Sequence, residues 1–143
     1  MPDDLGNIED RVKARLEAQP TILEQFASHM KEAMPKNPFP TAILDEQNNV
    51  VPVHIADALI WQMEHVSRIR VDLTKVGNIE ISTVFSTVAL SGTLHDHEER
   101  ESFHFETMIF GPESAYVWNR YQTMEEAKNG HAAAVESILA KIE

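Results

Sequence analysis

Three closely spaced prolines, Pro35, Pro38 and Pro40, divide this 143-residue chain into two parts whose hydrophobic patterns have different periods. Before them the apolar residues repeat at helical spacing. Ile8, Val12 and Leu16 follow Asn7, a residue suited to capping a helix, with Asp10 in the first turn. Pro20 ends that helix and suits the first turn of the next, whose stripe is Ile22, Leu23, Phe26, Ala27, Met30, Ala33 and Met34. Residues 1–34 are expected to form a helical pair. The prolines are the one sign of a linker in what otherwise reads as a single domain, 1–143.

After Thr41 the period shortens. Ala42-Ile43-Leu44 and Val50-Val51-Pro52-Val53 flank Asp45–Asn49, which predicts a short β-hairpin with Asn48-Asn49 at its tip and Pro52 on an edge. A helix is expected from Ile55 to Val66, burying Ile55, Leu59, Met63 and Val66. Strand character begins at Arg68, where Ile69, Val71 and Leu73 alternate with Arg70, Asp72 and Thr74. After the Lys75–Asn78 turn, the run Ile79 to Leu90 switches phase between Ile81 and Val84, as a β-bulge or two-sided burial would require. Phe103–Phe110 and Ala115–Tyr121 complete the strands. Thr123 and Glu126 form a capping box that opens a last helix with the stripe Ala127, His131, Val135, Ile138 and Ile142. Strands segregated from helices in this way predict the α+β class: an antiparallel sheet of three to five strands with helices mainly on one face. The core spans residues 41–143.

Charge narrows the partners. Twenty-three acids face twelve Lys and Arg, a formal −11, which disfavours direct nucleic-acid binding. Residues 94–143 hold ten acids against four bases. There are no cysteines, which excludes disulfides, thiolate catalysis and Cys-ligated metals. The N-terminus lacks the character of a signal peptide, and no apolar run is long enough to cross a bilayer, so a soluble, cytoplasmic protein is expected.

Candidate chemistry is rich in histidine and acid. His95 and His97 stand at i and i+2, and His104 and Glu106 follow on the next strand, so a metal ion held by these four side chains is one expectation. The competing reading is a solvated loop, since no zinc signature is present. His131 lies on the apolar stripe of the last helix, where Glu106 is its expected partner, either as a structural pair or as an acid–base pair. No nucleophile elbow, phosphate-cradling loop or dinucleotide motif occurs, and no cofactor is expected beyond that metal. Trp61, off the main stripe of its helix, reads as a contact residue. Tyr116, Trp118 and Tyr121, near Arg120, read as core or interface packing.

Several segments together carry a resemblance: Ser82-Thr83-Val84-Phe85, Phe105-Glu106-Thr107-Met108-Ile109-Phe110-Gly111, Arg120-Tyr121-Gln122-Thr123, Glu126-Ala127 and Gly130-His131. The set resembles a family of small uncharacterised proteins encoded by tailed bacteriophages and prophages, over roughly Arg68 to His131. Those proteins tend to carry a short L-G-L-D-H segment soon after STVF, whereas Ser86–His97 here is longer and holds a His-Asp-His cluster. The resemblance implies a phage or prophage origin and singles out Glu106, Arg120 and His131 without assigning an activity. The function expected is that of an accessory protein acting by protein–protein binding. Its acidic loop (Asp96, Glu98, Glu99 and Glu101), with Trp61 and Arg120, would be the contact residues, and mimicry of nucleic acid toward a basic host protein is one form of such binding. The alternatives are a small metal-dependent or acid–base enzyme and a virion structural subunit.

Overall fold

The computed structural model describes residues 8–18, 22–90 and 102–142, which fall in two compact units, 1–36 and 37–143. The first unit holds the expected helical pair, α1 (Ile8–Ala18) and α2 (Ile22–Ala33). In α2 only Ala27 is buried, and Ile22 and Phe26 on the same stripe are exposed.

The second unit begins with the hairpin β1 (Ala42–Leu44) and β2 (Val50–Pro52), paired antiparallel. Asp45 ties its turn: Oδ1 accepts the N–H groups of Gln47 and Asn49, each at 2.9 Å, and Asn48 takes the left-handed conformation at φ 65°. These bonds, that of Asn49 first, hold the Asp45 carboxyl below its ordinary value against a smaller opposing effect of desolvation. Helix α3 (Ile55–Glu64) is capped by His54, whose Nδ1 accepts the Ala56 N–H at 3.0 Å. A single turn, α4 (Val66–Ile69), leads into the sheet. Strands β3 (Arg70–Val76), β4 (Ile79–Phe85), β5 (Phe105–Phe110) and β6 (Ala115–Tyr121) form an antiparallel meander in sequence order. Helix α5 (Met124–Ile142) closes the fold, with Thr123 Oγ1 accepting the Glu126 N–H at 3.1 Å as the capping box requires. The class is α+β, and α5 crosses all four strands on one face.

Register defines what that inner face contains. Phe85, Phe105 and Tyr121 form one row, Asp72, Thr83, Thr107 and Asn119 the next, and Thr74, Ile81, Ile109 and Tyr116 a third. Ala134 and Ile138 of α5 pack on Ile81 and Ile109, while Ala127 joins Phe85, Phe105, Tyr121, Leu44 and Trp61. Dense packing of these side chains is the main apolar contribution to stability.

Four expectations change. Arg68 lies in the α4 turn rather than in a strand. Its guanidinium sits 5.5 Å above the Trp61 ring and donates to the Asp45 carbonyl and to Asn48 Oδ1, at 2.5 and 2.9 Å, which pins the hairpin to α3. Trp61 is core, at 7% exposure, edge-on to Phe85 and stacked on His65. Helix α3 therefore buries Ala56, Ala58 and Trp61, leaving Leu59 and Met63 exposed, because small alanines bring the helix close enough for the indole to reach the sheet. In β3, Val71 is an extra residue between Arg70 and Asp72; this bulge turns Asp72 and Thr74 inward and Leu73 outward. The phase switch between Ile81 and Val84, by contrast, is two-sided burial as expected: Ile81, Ser82 and Thr83 are buried in succession, in unbroken register with β5. β4 stops at Phe85, and Thr87 and Ala89 then bond back to Ala42 and Pro40.

Candidate functional site

The inner polar row converges on His131. Its Nδ1 lies 2.7 Å from Thr83 Oγ1 and its Nε2 2.9 Å from Thr74 Oγ1, with Asp72 Oδ2 at 3.7 Å. Thr83 Oγ1 in turn bonds Thr107 Oγ1. Strands β3, β4 and β5 thus each supply one hydroxyl to a chain that ends on an imidazole from α5. A threonine hydroxyl has one proton, so the chain must run in one direction. We assign Nδ1 as bare: Thr107 donates to Thr83, Thr83 donates to Nδ1, and the Nε2 proton faces Thr74 and the Asp72 carboxylate.

Tyr121 continues the same neighbourhood. A Cβ on Gly130 would fall 2.1 Å from the Tyr121 ring and hydroxyl, so the ring lies directly on the α5 backbone, and only glycine permits that approach. The Tyr121 hydroxyl is buried and makes no hydrogen bond of normal geometry among the described residues. Burial pushes its ionisation above the ordinary tyrosine value, and the nearby Thr107 hydroxyl offsets part of that effect.

The Asp72–His131–Thr83 connectivity is that of an acid, a base and a hydroxyl. Its accessibility is not that of a nucleophilic site. Thr83 and Thr107 have no exposed surface, and His131 is 2% exposed, so no substrate reaches the hydroxyl. What the chain does chemically is satisfy three buried polar side chains, Thr83, Thr107 and His131, at once while fixing α5 on three strands.

Glu106 is not the partner of His131. Phe105 and Thr107 point inward, so Glu106 between them points outward, where its Oε2 accepts from Arg120 Nε at 2.7 Å. His104 is buried, stacked on Phe85, and its Nδ1 donates to the Ser86 carbonyl at 2.8 Å. Burial lowers its basicity below the ordinary histidine value, and the Ser86 bond opposes this. Among the described residues no three His, Asp or Glu side chains converge as metal ligands. His95, His97, Asp96, Glu98, Glu99 and Glu101 lie outside the described residues. The threonines of the polar row were missed in the sequence; the signal was their place in a buried phase, Ile81-Thr83-Phe85 and Phe105-Thr107-Ile109.

The outer face is different in kind. Its rows are Arg70–Val84–Glu106–Arg120, then Leu73–Ser82–Met108–Val117, then Lys75–Glu80–Phe110–Ala115. The middle row holds no charge. Ser82 in it is buried, Leu73 and Met108 are half-buried, and Val117 is 42% exposed, beside Phe110 of the next row at 39%.

Comparison of the chain with protein-family models, curated proteins and solved structures gives no match.

Proposed function

We propose that this chain is an accessory protein that acts by binding another protein, with the outer face of the four-stranded sheet as its contact surface. One observation carries the reading: an uncharged row, Leu73–Ser82–Met108–Val117, crosses all four strands and is bordered by charged rows. An apolar centre with a polar rim is the anatomy of a protein interface. The candidate acid–base groups support the same reading, since Glu106 is held by Arg120 and His131 by threonines. The resemblance to phage and prophage proteins makes a phage protein or a host protein the partner class. No helix of the described residues is long and apolar enough to cross a membrane. The acidic loop on which nucleic-acid mimicry rested lies outside the described residues.

A photo-crosslinking residue placed at Phe110 tests this in bacterial cells, with the same residue at Glu136 on the exposed side of α5 as the comparison. Crosslinks to a discrete protein from position 110 and not from 136 are expected. Equal or absent crosslinking at both positions would count against an outer-face contact.

A further inference from the structure

The tip of the β1–β2 hairpin and the first turns of α5 line a half-open cleft of about 790 Å³, a volume within the range of small-molecule sites. Five of its lining residues carry carboxamides: Gln47, Asn48 and Asn49 on the hairpin side, Gln122 and Asn129 on the other. In a chain of formal charge −11 the cleft is neutral, since Glu125 and Lys128 bring one charge of each sign among the described residues. Val50 and Met124 supply an apolar patch, and both pack on the core around Leu44 and Trp61. The terminus of α5 is not the attraction, because Thr123 and Glu126 already bond each other there.

Two of the carboxamides are oriented from behind. Arg68, held above the Trp61 ring, donates to Asn48 Oδ1 at 2.9 Å, which leaves the Asn48 NH2 group as the end that donates to a ligand. Asn49 Nδ2 donates to Asp45 Oδ2 at 3.2 Å, which leaves Asn49 Oδ1 as the end that accepts. A donor and an acceptor therefore stand on adjacent residues with their roles already set.

We propose that this cleft binds a neutral saccharide, with neighbouring hydroxyls of one sugar ring bonded to Asn48 and Asn49 and its C–H face resting on Val50 and Met124. A hydroxyl both donates and accepts, so a pair of them uses both ends of the asparagine pair. A phosphate or carboxylate would accept from Asn48 but meet Asn49 Oδ1, the Asp45 carboxylate behind it and Glu125. A cation would meet the Asn48 NH2 group and Lys128. A peptide adding a strand to β2 would find only three residues, one of them Pro52, which has no N–H to donate.

NMR titration of isotope-labelled protein with neutral trisaccharides of glucose, galactose, mannose and N-acetylglucosamine, read at the carboxamide N–H signals, tests this. At least one sugar is expected to shift the Asn48 and Asn129 side-chain signals, and inositol hexaphosphate to leave them in place. Asn48→Asp keeps the oxygen that Arg68 holds and removes the donor, so it should weaken binding about tenfold. Asn129→Ala, at an exposed helical position, should weaken it about two- to fivefold with folding intact, and carries the test if Asn48→Asp loses its structure. Unmoved signals with every sugar at millimolar concentration, shifts caused by the hexaphosphate instead, or undiminished binding by both variants overturns the proposal. No lining residue belongs to the outer rows of the sheet, so the cleft and the outer-face contact stand or fail separately.

Discussion

The two faces of the four-stranded sheet are made by alternate residues of the same strands, yet their polar groups meet opposite fates. On the inner face Thr83, Thr107 and His131 are sealed under α5 and bond one another. On the outer face Glu106 and Arg120 pair where the guanidinium is still 30% exposed, next to an uncharged row. The difference teaches which polar residues the fold consumes. Buried groups must find partners or cost stability, so the inner row is part of the architecture. On the outer face Glu106, 12% exposed, meets the same obligation through Arg120, and only the guanidinium keeps a wet side.

The comparison breaks first at His131. Replacing it with Ala removes a buried ring and strands the Thr83 hydroxyl, so a loss on the order of 3 kcal/mol is expected in urea denaturation. Glu106→Gln on the outer face should cost about 1 kcal/mol or less. Equal losses at the two sites would erase the distinction between the faces. Gly130→Ala comes next. In an open helix this change stabilises by up to about 1 kcal/mol. Here the added methyl meets the Tyr121 ring, and a net destabilisation of about 1–3 kcal/mol is expected; a gain in stability would show that the ring is not held against α5.

The smallest effect is that of pH. His104 is harder to protonate in the fold than in the unfolded chain, so as pH falls through its ordinary value of 6.5 the unfolded state takes up the proton first and stability drops. His104→Phe should flatten the slope of stability in that window. An unchanged slope would remove burial of His104 as its cause. Asp45 acts lower, where its depressed value means stability present above the ordinary carboxylate range and lost in strong acid.

Local signals were legible in the sequence. The Thr123–Glu126 box, the Asn48 turn and the proline-marked change of period each depend on residues close in sequence, and each stands in the structure. The polar row was not legible, because it depends on register between strands. Bulges at Val71 and Trp118 each slip the phase by one residue, which brings Asp72 and Thr74 inward and turns Arg120 outward to meet Glu106. The parity of Phe105-Glu106-Thr107 already separated Glu106 from His131, since neighbours on a strand face opposite ways. Trp61 misled for a different reason: packing against Phe85 and Arg68, from distant segments, decided its burial rather than its place on the helix stripe.

The most direct test compares capture of the crosslinked partner by two folded variants, Met108→Glu on the outer row and His131→Asn in the inner row, held well below their unfolding temperatures. The account predicts that Met108→Glu loses the partner and His131→Asn keeps it. Retention by Met108→Glu with loss by His131→Asn would contradict it and return the imidazole to the centre of function.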